Sequence, residues 1–538
     1  MRRALWFGRA AGGLVVATAV LSAAAPGATE RDAKEGGTFR VVALSANFDA
    51  IDPALYNLVG SAQILRPACA GLMGFPNKKL PAGLRLSPEL AEDDPVISRN
   101  GKTYTFTIRR DARFSTGARV LARDVVHSLE RVFTPRMQSP FAQEPLASIV
   151  GARAMLDGKA TKLSGAVARG RTLILRLRKH VGDFPGHASV CVVPANVPVD
   201  PEGAQAPLPS AAPYYVAQYT PGERLVLARN RFYRGARPQH VSEIVANLES
   251  DAGAMVDRVE TGNADFFLGS AALASFASDL TQRYGINRSQ FFSVPGNFLR
   301  MFVLNTSRPL FKNNVELRRA VNFAVDRKDL TREFGVAAAT PTDQYQPPIF
   351  PGFRPERIYP LGGPDLREAR RLAAGHTRGG KAVLYTCDSP VCVAQAQILQ
   401  RDLKAIGLDL EVATFPGTLA FEKMATEPGL FDIGRVGFAL ADPGAFAGSF
   451  DGRSIGEPSN QNWSYFDSPR FNRLIEAAGR LRFGAIRNRA YGELDVLLSR
   501  DAAPAIPYAV SNALTFVSAR TGCIVLNPSL DLTAVCLK

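Results

Sequence analysis

Leu90 to Phe133 reads LAEDDPVISRNGKTYTFTIRRDARFSTGARVLARDVVHSLERVF. Asn100-Gly101 is a turn dipeptide, because both residues tolerate positive φ. The alternation of Tyr104-Thr105-Phe106-Thr107-Ile108 predicts a half-buried strand. Phe114 to Gly117 predicts a second turn. Ala122-Arg123-Asp124 then leads into a helix carrying Val125, Leu129 and Val132 at helical spacing. The stretch therefore reads turn, strand, turn, helix, with one apolar face on each regular element.

The same grammar continues on both sides. Gly36-Gly37-Thr38-Phe39-Arg40-Val41-Val42 predicts a strand, followed by Ile51-Asp52-Pro53-Ala54 and a helix over Ser61–Gly71. Arg171 to Leu177 alternates as another half-buried strand. The Pro/Ala/Gly-rich run from Asp200 to Ala212 marks a crossing between subdomains. Asn297 to Asp326 combines a strand, a Pro-Phe turn and a helix. Helices over Ala394–Ile406 and Ser468–Arg482, with strands at Ala382–Thr386, Leu408–Ala413 and Phe431–Phe438, predict a second α/β unit.

In order and wording these blocks resemble the solute-binding proteins of peptide-type ABC importers, solute-binding family 5. That family runs roughly LAES-(turn)-G-TYTFHLR-x-VKFHDG-x-PLTAEDVVFSLER through its first signature; here Ser115-Thr116-Gly117 stands for the usual His-Asp-Gly. Ala211-Ala212-Pro213-Tyr214-Tyr215 resembles its G-T-G-P-Y, with both glycines replaced by small residues. Asn297 to Asp326 resembles its lobe-crossing strand and following helix, and Asp501 to Val510 its second crossing. The resemblance covers about residues 36–515.

It implies an α/β, two-lobe periplasmic-binding-protein fold of type II, with an extra subdomain inserted in lobe one. Lobe one would comprise residues 36–75, 195–293 and 506–538, with 76–194 inserted; lobe two would be 294–505. The implied function is capture of a small peptide or peptide-like solute by lobe closure and delivery to ABC permease subunits in the membrane, by a monomer without cofactor. The family also takes nickel and other metal chelates and some oligosaccharides, which stand as the alternative ligands. On the same grounds the ligand-lining candidates are Tyr56, Asn57 and Val59 after the L-D-P segment, Gly437, Phe438 and Ala439 at a strand end, Asp442, Asn462, Trp463 and Tyr508. Peptide-binding members typically carry G-W-x-x-D-Y at that strand end, with the Asp pairing the ligand's α-ammonium. Here Phe438 replaces the Trp, Ala441 falls where counting puts the Asp, and Asp442 follows one residue later.

Composition agrees with an exported globular chain. The 538 residues are 46% hydrophobic and 21% charged, too long for one core and not disordered. The formal charge of +15 is scattered without a polybasic block, which argues against nucleic acid as a partner. Arg2, Arg3 and Arg9 before an apolar run from Ala10 to Ala23 predict a signal peptide over residues 1–28, cleaved between Ala23 and Thr29; retention as an anchor is the alternative. No Cys follows the run, so no lipid anchor is expected, and the mature protein belongs in the periplasm or outside the cell. Six Cys suit that oxidising compartment and allow fifteen pairings. Proximity in sequence favours Cys387 with Cys392 and Cys523 with Cys536, leaving Cys69 with Cys191.

Enzyme signatures are missing. There is no G-x-S-x-G elbow, H-E-x-x-H or Rossmann fingerprint, so a secreted hydrolase is the lesser reading. Gly375 to Lys381 (GHTRGGK) resembles a P-loop but puts Ala382 in place of the hydroxyl residue and a strand in place of the helix. Dispersed His and the absence of repeated C-x2-C spacing give no zinc site. Arg318 and Arg319 on the helix after the crossing could meet an anion, although helix-surface arginines are usually solvated.

Overall fold

A computed structural model describes residues 34–143, 145–204, 206–416, 419–456 and 461–538. The predicted signal segment lies outside the described residues.

The strand Thr103–Thr107 forms where alternation placed it, and Tyr104 and Phe106 are the buried members. Gly101 and Gly117 both take positive φ, which is why the two flanking turns close on glycine. The helix Ala122–Phe133 buries Val125, Leu129 and Val132 and lays them on the four-stranded sheet that contains Thr103–Thr107 and Thr172–Arg176. Asp124 holds the helix start by accepting from the Leu121 N–H at 2.8 Å. Asp52 of the L-D-P segment is buried and accepts from Arg131 of this helix at 2.6 Å. That motif therefore ties the segment around Asp52 to the helix Ala122–Phe133.

The rest of the chain is organised on one eleven-stranded mixed sheet. Its order is Asp409–Phe415, Lys381–Cys387, Ile433–Ala439, Phe291–Leu304, Ala505–Val517, Phe266–Leu268, Thr38–Leu44, Glu243–Glu249, Arg224–Arg229 and Tyr214–Thr220, with Ala339–Pro341 added beside Ala505–Val517. Phe291–Leu304 and Ala505–Val517, at 14 and 13 residues, are the two crossing strands. They pair antiparallel from Phe291↔Phe516 to Val303↔Ala505, with register shifts between Pro295 and Phe298 and between Arg300 and Met301. One end of each packs in a core with Phe267 and Met255, and the other end between two further cores, one around Leu384 and one around Phe446.

Sequence-predicted elements recur with shifted ends. The helix expected over Ser61–Gly71 is shorter, Val59–Leu65. Pro67 lacks an N–H and cannot continue the helical hydrogen-bond ladder, and the chain tightens into a 3-10 turn at Arg66–Ala68. The helix expected from Ala394 begins earlier, at Pro390, because Ser389 caps it and Pro390 suits its first turn. All six cysteines pair as Cys69–Cys191, Cys387–Cys392 and Cys523–Cys536.

Candidate ligand-binding site

Ile433–Ala439 is central to the site. One of its edges pairs with the first crossing strand along its whole length, from Leu304↔Ile433 to Phe298↔Ala439. Its other edge pairs with Lys381–Cys387 only at Leu384↔Ile433 and Tyr385↔Gly434. From Arg435 to Ala439 that second edge has no strand partner among the described residues. Gly437, Phe438 and Ala439 thus lie on an open backbone edge next to the crossing. Phe438 stands opposite Leu299 and packs partly into the lobe-two core. Gly437 stands opposite Arg300, and a Cβ there would come 2.8 Å from the Phe298 ring and 3.5 Å from Arg300 Cγ. Glycine at 437 is the residue that leaves room for both.

Asp442 lies just beyond the strand. It accepts from the Gly444 N–H at 2.5 Å, and both its oxygens lie 3.4 Å from Arg487 Nη2. Arg487 also lies 3.9 Å from Asp183, which comes from the inserted block and is itself 3.1 Å from His187 Nε2. Burial and the adjacent Asp183 push the Asp442 carboxyl above the usual carboxylate range. Burial is opposed at Asp183 by hydrogen bonds from His187 and Asp442 and by Arg487, which together hold it below that range. Two carboxylates therefore face one guanidinium, and a proton between them stays on Asp442.

The opposite end of the open edge is cationic. Arg435 donates from Nε to Gln395 Oε1 at 2.8 Å and points Nη1 at Cys387 Sγ, 3.6 Å away. Arg300 donates from Nε to Ser511 Oγ at 3.1 Å. Among the described residues neither has a carboxylate at ion-pair distance. Burial first, and then the charge of Arg435, lower the Arg300 pKa.

The other candidates are placed differently. Tyr56 packs edge-on against Phe141, ring centroids 5.3 Å apart, with its hydroxyl 3.9 Å from Cys191 Sγ. Asn57 donates its backbone N–H to Asp49 at 2.7 Å. Val59 opens its helix and is exposed. Asn462 is fully buried and uses its amide on the Phe466 and Asp451 carbonyls, inside its own turn. Trp463 is half-buried against Phe421, 5.4 Å away. Tyr508 is fully buried and donates to Gln395 Oε1 at 3.1 Å, its ring stacked between Phe302 and Phe334. Neither Asn462 nor Tyr508 presents its side chain at a surface in this arrangement; Tyr508 meets the site through Gln395, which also binds Arg435. Arg318, one of the two helix arginines, is spent on the Ala502 and Phe311 carbonyls at 2.8 Å. Sequence reasoning missed Arg300, Arg435, Arg487 and Asp183. The first two had a signal: each is a lone charge inside an apolar strand run, F-L-R-M-F and I-G-R-V-G-F.

With this geometry in hand, comparison with known proteins is decisive. The model of the bacterial extracellular solute-binding proteins, family 5, matches residues 85–456. The chain belongs to this family. Family 5 members are binding proteins, not enzymes. Among curated relatives, the periplasmic murein peptide-binding protein MppA of Escherichia coli (strain K12) is 24% identical over 489 residues, covering 86% of each chain. The periplasmic oligopeptide-binding protein OppA of the same organism is 23% identical over 494 residues, again with 86% of each covered. Among solved structures, clavulanic acid biosynthesis oligopeptide binding protein 2 superposes with a TM-score of 0.75 at 25% identity, covering 94% of this chain and 96% of that one. Among the described residues of this family 5 protein, no helix is long and apolar enough to cross a membrane. Nor do any three His, Cys, Asp or Glu side chains among them group as a metal site.

Proposed function

We propose that this family 5 protein captures a short peptide in extended form along the open edge of Arg435–Ala439. That unpaired edge is the observation that carries the reading. A strand edge at a lobe crossing offers backbone donors and acceptors to any peptide sequence and leaves selectivity to the side-chain surroundings. The names of MppA and OppA support a peptide as the solute. Asp442 supplies polarity: a ligand ammonium arriving there would draw off the proton that Asp183 keeps on Asp442 and pair with the carboxylate so formed. Lobe one is taken as residues 36–75, 195–293 and 506–538 with 76–194 inserted, and lobe two as 294–505. A ligand on the edge touches both, because the first crossing strand and Asp183 flank it. The closed form gains those contacts and is favoured on binding. The exported, signal-cleaved monomer then delivers its load to ABC permease subunits.

Calorimetric titration with trialanine and with trialanine N-methylated at its backbone amides tests the reading. The parent should bind and the methylated peptide should lose tenfold or more. Equal binding would remove the strand edge from the site. N-acetylation tests Asp442 separately: Asp442→Asn should weaken the free-amine peptide and leave the acetylated one unchanged.

A further inference from the structure

Arg300 is held in an uncommon way. Its guanidinium lies 4.6 Å from the Phe298 ring centroid and 4.6 Å from that of Phe334. Phe334 is in turn stacked on Tyr508, 6.4 Å away and 7° from parallel, and Tyr508 on Phe302 at 4.9 Å. An aromatic column rooted in the lobe-two core therefore backs one side of the cation. Its Nε is bound to Ser511 Oγ. Its two terminal nitrogens have no hydrogen-bond partner among the described residues and are not sealed from solvent. The result is a guanidinium held between two rings with its outer N–H edge open. That edge is the part that binds a carboxylate through two parallel hydrogen bonds.

The surroundings select an anion. Arg435 adds a second positive charge close enough to lower the Arg300 pKa. The helix Pro390–Lys404 opens its positive end next to Cys387, which Arg435 touches. Asp388, the acid that follows Cys387, makes no ion pair with either arginine among the described residues. Directly across the pair of strands from Arg300 is Gly437, where the missing side chain leaves room for the Phe298 ring that covers one face of the guanidinium.

We propose that Arg300 is a specificity-determining residue that receives a carboxylate of the bound ligand on its open edge. This rests on the peptide reading above. The carboxylate has two possible sources, the ligand's C-terminus or an acidic side chain.

The experiment compares the ligand-stripped protein with its Arg300→Gln and Arg300→Lys variants by calorimetry. The probes are trialanine against its C-terminal amide, and Ala-Glu-Ala amide against Ala-Gln-Ala amide. The intact protein should favour the acid of at least one pair tenfold or more, and the pair that discriminates names the source. Arg300→Gln should abolish the preference while changing the neutral peptide less than twofold, and Arg300→Lys should restore only part. A neutral peptide bound as well as its acid in both pairs would overturn the inference and leave the peptide reading standing. If no peptide binds, titration with acetate and succinate under matched ionic strength decides: a thermal shift that needs Arg300 keeps the anion receptor and removes the peptide, and no such shift removes both.

Discussion

Arg327 and Arg300 both donate to the second crossing strand, Arg327 to the Pro507 carbonyl at 2.8 Å and Arg300 to Ser511 Oγ at 3.1 Å. Neither forms an ion pair among the described residues, and burial lowers the pKa of both, that of Arg327 to about 10. There the likeness ends. Arg327 is fully buried and spends its donors on the Thr342, Pro507, Asn322 and Pro360 carbonyls and on Asn322 Oδ1. Arg300 is half-buried, clamped by aromatic rings, and has its outer edge unspent. A buried cation saturated by carbonyls is a structural staple; one that is positioned but unsaturated is poised for a ligand.

The contrast is largest in stability. Arg327→Met leaves five oxygen acceptors without their donor and should cost at least about 4 kcal/mol, each orphaned acceptor contributing on the order of 1 kcal/mol or more. Arg300→Gln should change stability by less than about 1 kcal/mol. Urea unfolding of both variants checks this. A fall for Arg300→Gln as large as for Arg327→Met would make Arg300 a staple as well.

Asp495 extends the comparison to a buried group that can shed its charge. It is fully buried and accepts from the Tyr345 N–H at 2.8 Å and Gln344 Nε2 at 2.9 Å. Burial outweighs those donors and pushes its pKa up to about 7. A raised folded-state pKa gives stability that is complete below the unfolded value of about 3.9 and is lost as pH rises through about 7. The limiting slope in that window is about 1.4 kcal/mol per pH unit. Asp495→Asn, which mimics the neutral acid, should flatten the stability profile between pH 4 and 7. An unchanged profile would show that Asp495 does not titrate there.

Arg435→Gln is expected to act more weakly than Arg300→Gln on carboxylate preference, about threefold, since Gln395 and Cys387 already occupy two of its nitrogens and its share is long-range charge. Raising the salt concentration should shrink the Arg435 effect more than the Arg300 effect. The reverse order would make Arg435 the direct contact.

Much of this architecture was legible because it rests on local rules. Alternation placed Tyr104 and Phe106 inward, helical spacing placed Val125 and Leu129, and glycine marked the turns at 101 and 117. The open edge at 437–439 was reachable through family resemblance, which marks Gly437, Phe438 and Ala439 as ligand-lining. What pattern could not supply was the role of single polar residues. Asn462 and Tyr508 read as ligand contacts and fold as buried supports, because hydrogen bonds from residues four and more than a hundred positions away decide where they point. Arg300 read as one more residue of a strand, since only one of its ring clamps, Phe298, shares that strand and the other, Phe334, comes from the turn after the helix Arg327–Arg332. Arg487 and Asp183 meet across two blocks that no sequence period connects.

Phe334 gives the smallest expected effect and the most discriminating one. It covers one face of Arg300 and relays that position from Tyr508. Phe334→Leu keeps an apolar residue there but removes the ring, a loss of about 0.5–1 kcal/mol of cation–π attraction. The guanidinium then samples other planes, and the penalty appears only when a ligand needs two parallel hydrogen bonds. Affinity for a carboxylate-bearing peptide should fall about two- to fivefold, while its neutral amide or Gln counterpart should bind as before. Loss of equal size on both would mean that Phe334 merely lines the groove. No loss on either would mean that Ser511 and Phe298 suffice to fix the cation, and the aromatic column would then belong to the staple side of the comparison, alongside Arg327.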